Sequence, residues 1–287
     1  MKIARTPAEL GPGPRALAIG TFDGVHLGHQ RVIDTLLEAG PEPTVVTFDP
    51  HPRTALGNRV DLLMPLDRRL ELLAALGVAA TLVVEFTLDV AALEPEAFAE
   101  QYLRPVGAET VVAGEDFRFG PARKGDLALL ESLGFETRPV PLLDDVSSTR
   151  IRELVRDGDV GAAASVLGRP VEVEGIVVAG DARGGTLGFP TANLDVRPEL
   201  LVPKNGIYAG AAGESRAAVS IGTNPHYGGT ERRVEAFLLD FSGDLYGQRL
   251  IVELWERLRD EQSFESEDAL IEQIELDVQR TRAATRP

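Results

Sequence analysis

Gly20-Thr21-Phe22-Asp23-Gly24-Val25-His26-Leu27-Gly28-His29 decides how the first half of this chain is read. Upstream lies a short apolar run, Ala16 to Ile19, with the look of a buried strand. Downstream, Val32, Ile33, Leu36 and Leu37 recur at helical spacing until Gly40-Pro41 stops them. The segment is therefore a strand-to-helix turn, with the helix expected to begin near His29. Gly20, Gly24 and Gly28 let the backbone come close to a ligand. A helix N-terminus offers unpaired N–H groups and the positive end of the dipole, which suits phosphate. Two of the chain's 4 histidines stand here, three residues apart. Imidazoles at that place can donate to phosphate oxygens, and the chemistry they suggest is attack on a nucleotide phosphate. Two other readings stay open: core or capping histidines, and a metal site, for which Asp23 is the only evident third ligand.

Working outward, Thr44–Phe48, Thr81–Phe86 and Thr110–Gly114 read as buried strands. They alternate with helical patterns over Leu66–Leu76 and Leu127–Leu133. Strands and helices in alternation predict an α/β unit, a parallel sheet covered on both faces. Ligands in such sheets sit beyond the carboxyl ends of the strands. That edge would also carry Asp49-Pro50-His51-Pro52-Arg53 and Gly114-Glu115-Asp116-Phe117-Arg118-Phe119-Gly120. There His51 and Arg53 face a ligand or sit on a rigid proline turn. Phe117 and Phe119 frame an aromatic ring or simply pack. Ser147-Ser148-Thr149-Arg150-Ile151-Arg152 makes either a phosphate cradle or an N-cap. Residues 151–167 read as a helical connector broken at Asp157-Gly158-Asp159.

Beyond residue 168 the pattern changes. Val171, Val173 and Val177 alternate, and strand patterns follow at Ile207–Ala211, Arg216–Ile221, Val234–Phe241 and Arg249–Trp255. Consecutive strands without helices predict an antiparallel all-β sheet, sandwich or barrel. Ser266 caps a final helix with Leu270, Ile271, Ile274 and Val278 on its apolar face. The informative segment is Arg183-Gly184-Gly185-Thr186-Leu187-Gly188-Phe189-Pro190-Thr191-Ala192-Asn193. Thr191 and Asn193 share a face in an extended chain, and their oxygens suit Mg²⁺ together with nucleotide phosphates. This is not a Walker loop, and a plain Gly/Pro turn remains possible. Period two places Glu235 with Phe237, Leu239 and Phe241 on an apolar face. Desolvation there would raise its pKa and make it a candidate general base; a structural ion pair with Arg232 or Arg233 is the alternative.

Composition narrows the function classes. The chain has 287 residues, 44% of them apolar, enough for two domains with packed cores. A net charge of −16 opposes nucleic-acid binding but not a nucleotide ligand. Without cysteine there is no disulfide framework and no thiolate chemistry. No apolar run approaches a membrane span and no signal core is evident, so a cytoplasmic protein without membrane association is expected. The acidic composition marks no association surface, and a monomer or weak homo-oligomer is expected.

Taken in order, these motifs resemble the bacterial bifunctional riboflavin kinase/FAD synthetase family over essentially the whole chain. Gly206-Ile207-Tyr208-Ala209, Ser220–Gly229, Glu235–Phe241 and Leu258–Phe264 add to the match. The histidine motif is shared with a wider nucleotidyltransferase superfamily, whereas Gly188–Asn193 is more specific to flavokinases. The resemblance implies a Rossmann-like nucleotidyltransferase domain over 1–167, connector included. It implies a flavokinase β-barrel with a terminal helix over 168–287. The second half would phosphorylate riboflavin with ATP to FMN. Glu235 would be the base, Thr191 and Asn193 would hold Mg²⁺, and Arg183, Gly185, Gly188 and Pro190 would form part of the flap over ATP. Arg259 and Glu261 would help enclose the flavin. The first half would join FMN to AMP from a second ATP, giving FAD. There His26 and His29 would stabilise the transferring phosphate. Gly20, Phe22, Asp23, Gly28, His51, Asp116 and Phe117 would complete that site, and Ser148, Thr149 and Arg152 would hold the ATP phosphates.

The chain departs from the family pattern at Gly185, where arginine is usual, and at Ser263, where lysine is usual. Neither change touches Glu235, Thr191 or Asn193. Two competing readings have discriminating residues: an enzyme that only adenylylates would have no use for Glu235, Thr191 and Asn193, and a nucleotide-sensing module would have no use for both histidines.

Overall fold

The computed structural model describes residues 1–180, 188–223 and 232–287 and divides into two compact units, Met1–Ser147 and Ser148–Pro287. Arg183 and Gly185 lie outside the described residues.

In the first unit six parallel strands form one sheet. They are β1 (Lys2–Ala4), β2 (Arg15–Ile19), β3 (Thr44–Asp49), β4 (Ala80–Glu85), β5 (Ala108–Gly114) and β6 (Glu136–Val140), in the order β1-β4-β3-β2-β5-β6. The helices, in chain order, are α1 (Pro7–Leu10), α2 (Leu27–Glu38), α3 (Pro52–Ala55), α4 (Leu66–Ala75), α5 (Leu88–Ala92), α6 (Pro95–Phe98) and α7 (Leu127–Ser132). Strand β2 shows why the sheet is a middle layer. Leu17 and Ile19 join a core with Leu82, Phe98 and Leu103, while Ala16 and Ala18 join another with Ile33 and Leu36 of α2. Both faces of the strand are buried, which accounts for its continuous apolar run. The strand order reverses between β2 and β5, and the crevice beyond their carboxyl ends is where such sheets take ligands.

The second unit opens with α8 (Ser148–Asp157) and α9 (Val160–Leu167). Six antiparallel strands follow: β7 (Val171–Val178), β8 (Ala192–Asp195), β9 (Gly206–Ala212), β10 (Ser215–Thr223), β11 (Arg232–Leu238) and β12 (Arg249–Arg259). They close into a barrel in the order β10-β11-β8-β7-β12-β9. Alternate residues fill it, among them Val171, Val173 and Val177 from β7, Val219 and Ile221 from β10, and Val234 and Ala236 from β11. The last helix, α10 (Glu267–Ala283), starts at the Ser266 cap, whose side chain accepts from Ala269 N.

Strands β1, β6 and β8 carry no signal in the sequence reading, and three further details differ from it. Helix α2 begins at Leu27, not near His29, because His26 caps it. Strand β11 ends at Leu238, before a turn with Asp240 at φ +58, so Leu239 and Phe241 do not continue its face. The connector starts at Ser148, and contacts group it with the barrel rather than with residues 1–147; α9 packs on β7 and β12.

Candidate active sites

A cavity of about 300 Å³ opens at the carboxyl ends of β2 and β5. Gly20, Phe22, His26, Gly28, His29 and Asp116 are among its lining residues. His26 is extended (φ −72, ψ 171), and its Nδ1 accepts from His29 N at 3.3 Å. An accepting Nδ1 leaves the ring proton on Nε2, so the edge that is not capping the helix is a donor. The rings of His26 and His29 stack with centroids 3.6 Å apart, and Phe22 lies 5.1 Å from His29. Gly28 has a specific reason to be glycine. A Cβ there would come within 3.2 Å of the His26 ring, so its absence lets the imidazole lie against the first turn. Two stacked imidazoles, the start of α2 and a topological switch point converge here, an arrangement suited to charge developing on a phosphate.

Not every predicted residue comes to this cavity. Asp23 is buried, with both carboxylate oxygens accepting from Leu63 N at 3.0 and 3.2 Å. His51 caps α3, its Nδ1 accepting from Arg53 N at 3.2 Å. Phe117 stacks on Phe119 with centroids 5.4 Å apart. These three are not among the lining residues. Ser148 and Thr149 open α8, and Arg152 is buried on it, all in the second unit.

The second site is built by strand register. Arg259, Ile207, Ser220, Glu235 and Asn193 are successive pairing partners across β12, β9, β10, β11 and β8. Directly paired residues share a face of the sheet. Val234 and Ala236 point into the barrel, so this row lies on its outside. A cavity of about 320 Å³ covers Arg259, Ile207, Ser220 and Glu235 of that row, while Asn193 is not among its lining residues; Phe189, Phe237 and the α10 residues Leu270 and Ile274 supply apolar walls. Phe189 and Phe237 meet edge to face at 5.4 Å. Glu235 is half-buried on the wall, not sunk in the barrel core. Thr191 Oγ1 donates to Glu235 Oε2 at 3.3 Å, while Arg232 donates to the Val202 carbonyl. The structure thus brings together Glu235, Thr191, Arg259 and Glu261 at one cavity, with Asn193 next to Glu235 in register. Gly188 (φ +89) and Pro190 flank the Phe189 wall.

The oxygens at this place suit Mg²⁺: a hydroxyl, an amide and a carboxylate are all hard donors. Among the described residues no group of three His, Asp or Glu side chains is set to hold a metal. A cation here would be held by few protein oxygens, with nucleotide phosphates and water completing its shell.

Two residues that the sequence reading passed over shape this site. Gly180 is one. A Cβ there would fall 2.2 to 2.6 Å from the Asn193 amide. Gly180→Ala is therefore expected to displace Asn193 and, through the role the family resemblance implies for that residue, to raise the apparent KM for ATP·Mg²⁺ in riboflavin phosphorylation. Titrating Mg²⁺ at fixed ATP checks it, with circular dichroism confirming the fold. The other is Asp277, only 3% exposed, whose carboxylate grips Arg259 through Nε at 3.0 and 3.1 Å and Nη2 at 2.7 Å. Gln273 donates to the same carboxylate at 3.1 Å. Asp277→Asn leaves the guanidinium partly unpaired. Losing one partner of a buried pair costs about 3–5 kcal/mol, reduced here because Arg259 keeps a bond to the Asp260 carbonyl. The expected result is a lower melting temperature and, through the flavin-enclosing role the family resemblance implies for Arg259, weaker flavin binding, read by fluorescence titration. Its signal was an acidic residue on the apolar stripe of α10.

The α/β unit and the β-barrel each match a family of group-transfer enzymes. Residues 11–152 match the FAD synthetase family model and residues 167–285 match the riboflavin kinase model. The bifunctional riboflavin kinase/FMN adenylyltransferase of Listeria monocytogenes is 38% identical, the alignment covering 94% of this chain and 92% of that protein. Its Bacillus subtilis counterpart is 37% identical over 92% of this chain and 90% of the other. The chain belongs to the bifunctional riboflavin kinase/FMN adenylyltransferase family. A solved structure from Streptococcus pneumoniae, named a macrolide-efflux protein, shares the fold with a TM-score of 0.87 and 32% identity over 98% of both chains. No helix among the described residues of the present chain is long and apolar enough to cross a membrane.

Proposed function

We propose that the chain makes FAD from riboflavin in two steps, one at each cavity. In the barrel, Glu235 takes the proton of the ribityl 5′-hydroxyl. The hydroxyl oxygen bonds to the γ-phosphorus of ATP as the bond to the β-phosphate oxygen breaks, leaving FMN and ADP. Mg²⁺ held by Thr191, Asn193 and the nucleotide would neutralise phosphate charge. Phe189 and Phe237 give the flavin an apolar wall, and Arg259 and Glu261 close the other side.

In the α/β unit the FMN phosphate oxygen bonds to the α-phosphorus of a second ATP, and pyrophosphate leaves. His26, through Nε2–H, and His29 stabilise the charge on the transferring phosphate without a covalent intermediate. Ser148, Thr149 and Arg152 are assigned to the ATP phosphates by the family resemblance alone. We assign the work to the cytoplasm and to a monomer or weak homo-oligomer on the sequence reading alone. No nucleic acid takes part: the net charge of −16 opposes it.

The register row that sets Glu235 beside Asn193, with Thr191 on its carboxylate, carries the kinase reading. The test is chromatography of the flavins formed from riboflavin, ATP and Mg²⁺ by the purified chain. FMN and FAD together are expected. FAD from added FMN but no product from riboflavin would remove the kinase step and point to the glycine at Gly185.

A further inference from the structure

Arg69 lies on α4, outside both cavities, and is one of the most deeply buried large side chains, at 1% exposure. A guanidinium is rarely buried so far without a demand that holds it there. Its Nη1 donates to the Thr21 carbonyl at 2.8 Å, to Thr47 Oγ1 at 3.2 Å and to the Phe48 carbonyl at 3.3 Å. Thr47 Oγ1 in turn donates to the Thr21 carbonyl at 3.1 Å. Thr21 leaves the carboxyl end of β2, and Phe48 is near that of β3. The side chain therefore ties two neighbouring strand ends together directly behind the histidine turn. Burial lowers the Arg69 pKa, and the nearby Asp23 and Asp49 carboxylates oppose that shift. Both aspartates stand in the motifs expected to face ligand, and both lend their charge to Arg69.

The turn that Arg69 backs is strained. Phe22 and Val25 hold φ of +50 and +40, in the left-handed region that non-glycine residues avoid. Such residues cost about 1–3 kcal/mol each and persist where their surroundings over-determine them. Phe22 and His26 line the nucleotide cavity from this turn.

We propose that Arg69 is a positioning residue for adenylyl transfer, clamping the Thr21 carbonyl so that the strained turn presents His26 and His29 to the transferring phosphate. It rests on the reading of the first cavity as the FMN adenylylation site. Lysine keeps the charge, but its side chain is one bond shorter, so its nitrogen stops short of the point where Nη1 meets its three acceptors. In the full-length chain, Arg69→Lys is expected to lower kcat for FAD formation from FMN by about 10²-fold, as a misplacement near 1 Å does. KM for ATP is expected to change little, and riboflavin phosphorylation by the same protein to stay intact. Thr47→Val, which is close in shape, removes the relay and is expected to act in the same direction more weakly. The double variant is expected to be no worse than Arg69→Lys, since both act through one carbonyl. Backbone hydrogen exchange over residues 21–26 is expected to quicken in each variant.

Unchanged kcat and unchanged exchange in Thr47→Val and Arg69→Lys would overturn the proposal. A parallel loss of both activities and of melting temperature would also overturn it, leaving Arg69 a general core residue. Should Arg69→Lys fail to fold, Thr47→Val decides by the same readouts. Failure of the wild-type chain to form FAD would instead refute the assigned activity. The exchange comparison would still show whether Arg69 holds the turn.

Discussion

Glu235→Gln is expected to slow riboflavin phosphorylation by about 10²–10⁴-fold, the range for loss of a general base, while FAD formation from added FMN stays unchanged. Glutamine has the shape of glutamate, and its amide oxygen still accepts from the Thr191 hydroxyl that now meets the carboxylate at 3.3 Å. The neighbours Val234 and Ala236 stay buried in the barrel, so the strand holds. What disappears is a basic oxygen on the cavity wall. KM for riboflavin is expected to move less than kcat, because the substitution leaves the apolar walls in place. Parallel assays with riboflavin and with FMN check the outcome. Equal loss of both activities would mean that the two sites are not independent.

The second large effect is expected at His26, where capping and chemistry can be separated. His26→Asn supplies a side-chain oxygen at the N-cap, among the best residues for that position. It removes Nε2–H, the donor aimed away from the helix. FAD formation is expected to fall by about 10²–10³-fold, as for loss of a donor to a charged transition state, with riboflavin phosphorylation unaffected. His26→Ala removes the cap as well, and a further loss of about 1 kcal/mol in stability is expected. Melting temperature and FAD synthesis measured on both variants settle the matter. Full activity in His26→Asn would reduce this histidine to a cap.

Much of this molecule is legible in its sequence; what is not divides into local caps and turns and into contacts between distant segments. Continuous apolar runs announced strands buried on both faces, and Val171, Val173 and Val177 announced a strand buried on one. Ser266 followed by acidic residues announced α10. Such signals are short-range, because period and capping depend on residues a few positions apart. The boundary errors are short-range too. Helix α2 starts earlier than the apolar spacing predicts because His26 caps it, and the face of Glu235 does not run on to Leu239 and Phe241 because the strand ends at Leu238, before the turn at Asp240.

At the candidate sites the division is sharper. The motifs singled out His26, His29, Thr191, Asn193 and Glu235 by residue type and spacing. They did not separate Asp116, which lines the nucleotide cavity, from Asp23, His51 and Phe117, which do not. Nor did they find Arg69, Gly180 or Asp277, whose partners lie far along the chain: Thr21 for Arg69, Asn193 for Gly180 and Arg259 for Asp277.

Strands β1, β6 and β8 aside, the sequence alone determined most of the longer strands and helices and their order, the division into an α/β and an all-β half, and the chemistry of the key side chains. Each of these follows from local periodicity, capping and residue type. Only the tertiary structure decided that Arg259, Ile207, Ser220, Glu235 and Asn193 form one row across five strands, and that Arg69 stands behind the histidine turn. Pairing register and strand order are set by which distant segments bury one another. A shift of one residue in β11 would turn Glu235 into the barrel and Val234 out to the cavity.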